Sequence, residues 1–176
     1  PEGSPEQARR NEAQLNLGKQ AWERLQAGEP VTARLLLEQA RQMGVDCPAS
    51  LHYIAKCLIS LGSISESIAL LQRAVELNPN DPSLLVELGL TLRRGAEPQA
   101  GEAVLQQAVM FFSLLLAVGE GTSADYANLA IAYDELGDRD NALACLEQAL
   151  QRDPHNESAL LRKASILGKQ PDRHEE

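Results

Sequence analysis

A repeat constrains this chain more than any other feature. The segments "LGSISESIALLQRAVELNPND" (61–81) and "LGDRDNALACLEQALQRDPHN" (136–156) align without gaps. Leu61-Gly62 and Leu136-Gly137 open them; Ala69 and Ala144, Leu71 and Leu146, Ala74 and Ala149, Pro79 and Pro154 then coincide. Upstream, "AGEPVTARLLLEQA" (27–40) falls in register with the first segment through Gly28, Leu37 and Ala40. "RGAEPQAGEAVLQQA" (94–108) continues the series downstream, with Leu105 and Ala108. The common period is about 34 residues. Self-similarity at a fixed period means one supersecondary unit copied along the chain. Each copy buries its apolar face on its neighbours.

The unit is helical. Before each segment runs a second pattern: Leu51-x-x-Ile54-Ala55-x-x-Leu58, Leu85-x-x-Leu88-Gly89-x-x-Leu92 and Tyr126-x-x-Leu129-Ala130-x-x-Tyr133. Apolar residues three and four apart share one helix face, and the small residue among them admits a close neighbour. Gly28, Gly62 and Gly137 end the first helix of their units as C′ glycines. Pro79 and Pro154 stop the second, since proline has no N–H and clashes with the preceding turn. Asp81-Pro82 supplies a cap and a first-turn proline for the next helix. Aromatic residues are only 3% of the chain, so Ala, Leu, Ile and Val must build the core. No two-residue alternation marks a strand, and the chain reads as all-α.

A helix–turn–helix unit of about this length, with these residues, resembles the tetratricopeptide repeat family. The resemblance implies a right-handed α-solenoid of four units and a C-terminal capping helix. The units are 14–47, 48–81, 82–122 and 123–156, and the capping helix is 157–169. Residues 1–13 extend the first helix back to Pro5, and 170–176 form a disordered tail. Unit four is nearest the family pattern, with Tyr126, Leu129, Ala130, Tyr133, Gly137, Ala142, Leu146, Ala149 and Pro154 in place.

Unit four starts later than the period requires, by about two helical turns. Ser113 also stands where a stopping proline is expected. The second helix of unit three is therefore expected to run on through "VMFFSLLLAVGEG" (109–121) to about Val118. Spanning a bilayer takes about 20 apolar residues. This run stops at Gly119, so no membrane span is expected. Val109 and Phe111 fall on ordinary core positions, whereas Phe112, Leu115, Leu116 and Val118 exceed what a standard unit buries. Either the first helix of unit four leans over them, or a second copy covers them in a homodimer.

Charge and chemistry narrow the function. The net charge of −9 is concentrated in residues 101–157, which hold ten acids and two bases. Such a surface repels a nucleic-acid backbone. The pair Arg93-Arg94 reads as a solvated helix end. Cys47, Cys57 and Cys145 lack paired spacing and read as small apolar residues. Free thiols suit a reducing compartment, so a cytoplasmic location is expected. His52, His155 and His174 are not at metal-ligand spacing, and no nucleophile–base set or phosphate loop is present. No enzyme, cofactor or metal is expected. A chain that begins with Pro1 reads as a piece of a longer protein.

Function must then come from shape. The family resemblance implies a concave groove lined by first helices that holds an extended or helical peptide of a protein partner. By register the groove carries Gly18 and Trp22; His52, Tyr53 and Lys56; Val86, Glu87 and Leu90; Ala124, Asn128 and Ile131; and Arg162. Some relatives grip a chaperone's C-terminal carboxylate with a Lys/Asn/Asn/Lys/Arg clamp. Here Gly18, Trp22, Tyr53, Ser83 and Glu87 occupy those places, so the clamp is absent. Two other readings stay open. One is a self-assembly scaffold. The other is the regulatory or substrate-recognition part of a larger glycosyl- or sulfotransferase.

Overall fold

Local signals fix where each helix of the array starts and stops. The computed structural model of the protein describes residues 4–44, 46–95, 97–119 and 121–168. Among them run α1 (Pro5–Gln26), α2 (Pro30–Gln42), α3 (Pro48–Ser60), α4 (Ile64–Leu77), α5 (Pro82–Arg94), α6 (Pro98–Ala117), α7 (Ser123–Glu135), α8 (Arg139–Arg152) and α9 (Glu157–Gly168). Five of them open on a proline in the first turn, where its missing N–H costs no hydrogen bond. Ser4 caps α1 by accepting from the Gln7 N–H, and Thr122 with Asp125 forms a capping box on α7. Gly28, Gly62 and Gly137 turn the chain from first to second helix at φ +78°, +83° and +85°, a region in which a Cβ is strained. The tail expected over 170–176 lies outside the described residues.

The helices pack as an all-α solenoid. Each first helix lies on the second helix of its unit, and α4, α6 and α8 pack in turn on α5, α7 and α9. Every second helix buries one stripe at the repeat period: Ala33-Leu37-Ala40, Ser67-Leu71-Ala74, Gly101-Leu105-Ala108 and Ala142-Leu146-Ala149. Leu71, Leu105 and Leu146 are fully buried, each contributing about 1.5–3 kcal/mol. The alanines beside them set how closely two helices cross.

Unit three departs from this pattern. Glycine stands at both crossing positions, Gly89 and Gly101, where the other units carry alanine or serine, and a Cβ on Gly101 would lie 2.6 Å from the Gly89 carbonyl oxygen. The helix following this crossing, α6, runs to Ala117, and its buried line continues one turn to Phe112.

Two sequence expectations are corrected here. Phe112 is not surplus apolar surface: it is 0% exposed, packed with Leu85, Val86, Leu129 and Ala132, and no partner can reach it. Val109 and Phe111 are half-buried only, because the core face of α6 passes through Ala108 and Phe112. Leu115 and Leu116 pack on the same cluster, whereas Met110, Leu114 and Val118 stand exposed at 68%, 67% and 69%. Measured over its whole 20 residues, α6 is long and apolar enough to cross a membrane by length and composition. The apolar run by itself understates that length. In the fold one face of α6 is committed to α5 and α7.

Candidate functional site

The first helices present the residues that the sequence assigned to a groove, and they do so in two parts. α1 packs directly on α3, and α5 packs on α7, while α3 is joined to α5 mainly through α4. Gly18 explains the closeness of the first pair, since a Cβ there would lie 3.1 Å from the Tyr53 Cβ. Gly18 is thus buried between the helices and does not line the groove. Val86, at 3% exposure, is likewise core.

On α1 and α3 a platform of rings and lysines forms. The Lys56 ammonium sits 4.5 Å from the Trp22 ring centre and 5.9 Å from that of Tyr53. The Lys19 ammonium also stands 5.9 Å from the Tyr53 ring centre, and Tyr53 tilts against His52 at 6.2 Å. Among the described residues neither lysine forms an ion pair with a carboxylate. Their charges rest on ring quadrupoles, which attract a cation without neutralising it. His52 Nε2 is buried without a hydrogen-bond partner. Burial holds the His52 pKa below the ordinary histidine range; Glu87 and Asp81 oppose this shift and Lys56 adds to it. His52 is therefore a neutral ring at neutral pH.

The second part, on α5, α7 and α9, is more polar. Asn128 donates from Nδ2 to the Ser83 hydroxyl at 3.3 Å, which ties α7 to α5. Leu90 and Ile131 are half-buried over the Phe112 cluster. Glu87 is half-buried on α5. Arg162, expected as a groove contact, is spent on structure: its guanidinium reaches Asp134 at 2.8 Å and Glu135 at 3.4 Å, and its side chain is 21% exposed. Arg93, read from sequence as a solvated helix end, donates to the Glu135 carbonyl at the end of α7. The cysteine thiols take no part. Burial raises that of Cys57 to about 11, and that of Cys145 is raised by burial and by Asp138. Among the described residues no three metal-ligating side chains come together.

One family description, tetratricopeptide repeat, matches residues 24–88 and again 124–156, together more than half of the sequence. The chain belongs to the tetratricopeptide repeat family. No curated protein matches the sequence. Solved structures that share the fold include PilF of Pseudomonas aeruginosa, 18% identical, with a TM-score of 0.62 over 91% of this chain and 70% of that one. MamA of Desulfovibrio magneticus RS-1 is 17% identical, with a TM-score of 0.52 over 87% and 83% of the two chains. YrrB, described as a TPR protein with an unusual peptide-binding site, is 24% identical, with a TM-score of 0.51 over 81% and 70%.

Within this tetratricopeptide repeat array, sequence reasoning missed Lys19. It sits one repeat before Tyr53, at the same place in its unit, so the repeat register could have found it. The exposed Met110 and Leu114 were missed for a different reason. A run of uniformly apolar residues gives no periodic signal of which face is buried.

Proposed function

We propose that this repeat array is a non-catalytic interaction module that holds an extended or helical segment of a partner protein across α1, α3, α5 and α7. One observation carries the reading: Lys56 is laid over Trp22 and beside Tyr53, so a cation, two aromatic rings and a neutral imidazole form a preordered contact surface. Aromatic side chains with few torsions lose little entropy on contact, and such residues dominate binding energy at interfaces. The unusual peptide-binding site described for YrrB supports the same use of the fold.

The test starts from a random-peptide display library selected on the wild-type chain. Enriched peptides are then titrated by the fluorescence of Trp22, the only tryptophan present. Replacing Tyr53, Lys56 and Asn128 together by Ala is expected to weaken binding by about 2 kcal/mol or more while leaving helicity unchanged. A peptide held equally by both chains removes the groove from the account.

A second reading, self-assembly, is supported by the exposed line of Met110 and Leu114 on α6 and Val118 at its C-cap. No charged residue lies between Ala103 and Gly119 to oppose a second copy. Light scattering that gives a dimer for the wild type and a monomer for Leu114→Glu would favour it.

A further inference from the structure

The outer face of α9 repeats a surface that units two, three and four cover. In unit two, Leu51, Ala55 and Leu58 are 5%, 0% and 6% exposed, and α4 lies over them. In unit three Leu85, Gly89 and Leu92 are buried at the same register under α6. In unit four Tyr126, Ala130 and Tyr133 are covered by α8. Counting on by the repeat, these positions in α9 are Leu160, Ala164 and Leu167, the same three residue types as in α3. Here they are bare: Leu160 and Leu167 are 46% and 45% exposed, and Ala164 is exposed as well. Leu161 beside them is 73% exposed, at the place held by the buried Gly18, Val86 and Ala127 in other units.

The other side of α9 is already complete. Ala159 and Ile166, at the register of the buried Ser50 and Cys57, are themselves buried on unit four. Arg162 is paired with Asp134 and Glu135, Lys163 meets Glu147 at 3.5 Å, and Arg139 donates to the Ile166 carbonyl. The cations of α9 thus bind inward, which leaves the outer face apolar beyond its first turn, where Glu157 is exposed. A helix built to face water would carry its polar residues there.

The covering helices of the four units also state what fits. Each presents a small residue, a leucine four positions on and an alanine three beyond that: Ala33-Leu37-Ala40, Ser67-Leu71-Ala74, Gly101-Leu105-Ala108, Ala142-Leu146-Ala149. Residues 169–176, "KQPDRHEE", contain neither leucine nor alanine and cannot supply this stripe. The structure therefore assigns the outer face of α9 to an amphipathic helix of a partner protein. That helix bears the small-x3-Leu-x2-Ala stripe and docks as the second helix of a fifth unit. The site is separate from the groove of the first helices.

The test uses the chain's own covering sequence as the probe. Residues 63–79, which contain α4, are made as a fluorescein-labelled peptide and titrated with the whole chain by fluorescence anisotropy. Saturable binding is expected. It should weaken at least about tenfold when Leu160 and Leu167 are both changed to Gln, and equally when the peptide carries Leu71→Glu. A second variant, Ala164→Arg, gives the same answer should the first melt early. Changing Tyr53, Lys56 and Asn128 to Ala leaves this binding intact, which separates the face from the groove. Three results overturn the assignment: no binding, binding indifferent to these substitutions, or a wild-type dimer that Leu160→Gln with Leu167→Gln converts to a monomer. The last would give the face to a second copy.

Discussion

Gly101→Ala should destabilise this protein, although alanine favours helix more than glycine does. An added Cβ would lie 2.6 Å from the Gly89 carbonyl oxygen, 2.9 Å from the Arg93 backbone nitrogen and 2.7 Å from Arg93 Cγ. The arginine side chain can swing aside, but the two backbone atoms belong to α5 and cannot. Ordinary contact begins near 3.4 Å, so α6 must retreat by roughly 0.8 Å. That retreat loosens Leu105 and Phe112, which are fully buried on the same helix. Overpacking of this kind costs about 1–3 kcal/mol, and the gain in helix propensity returns about 1 kcal/mol at most. Because the clash is with backbone atoms, the upper part of that range applies, about 2–3 kcal/mol, and the net loss is about 1–2 kcal/mol. At about 2–4 °C per kcal/mol for a chain of this size, Tm should fall by about 2–8 °C. Gly168→Ala is the control, since nothing lies within 4 Å of a Cβ there. It should leave Tm unchanged or raise stability by up to about 1 kcal/mol. Thermal melting by circular dichroism decides the matter. A Gly101→Ala chain as stable as wild type would refute the close crossing of α5 and α6.

Three further outcomes follow from the same packing. Leu116 packs on the α6–α7 cluster and Val118 is 69% exposed, so Leu116→Glu should lower Tm by several degrees and Val118→Glu should not. His52 has a depressed native pKa, so below the ordinary histidine range the unfolded chain takes up a proton that the native one refuses. Stability should therefore rise with pH across the interval between the two values, and His52→Asn should flatten that rise in melts between about pH 5 and pH 7. The Cys57 thiol is fully buried with its pKa raised to about 11. Iodoacetamide should accordingly leave it unmodified in the native chain and alkylate it on unfolding, as read by peptide mass spectrometry.

Much of this architecture was legible because repeats report themselves. Gly62, Gly137, Pro79 and Pro154 recur at fixed offsets, and periodicity says which faces of α3, α5 and α7 are apolar. Faces are harder to read where that signal fails. In α6 nearly every side chain after Ala108 is apolar, so sequence could not separate the buried Phe112 from the exposed Met110 and Leu114. Gly18 and Val86 have groove register but are buried, Gly18 because α1 meets α3 closely and Val86 because it packs in the cluster around Phe112. Arg162 looked like a groove cation, and only the fold reveals Asp134 and Glu135 beside it. Outward apolar surface on α9 was visible in its letters but not in its meaning, since a last helix is expected to face water.

The central claim is that a partner segment lies on the first helices. The most direct measurement is amide and indole chemical-shift mapping of the isotope-labelled chain on addition of a library-selected peptide. The account predicts that the largest changes fall on Trp22, Tyr53, Lys56 and Asn128 and follow α1, α3, α5 and α7. Changes concentrated instead on Met110, Leu114 and the outward faces of α2, α4, α6 and α8 would contradict it.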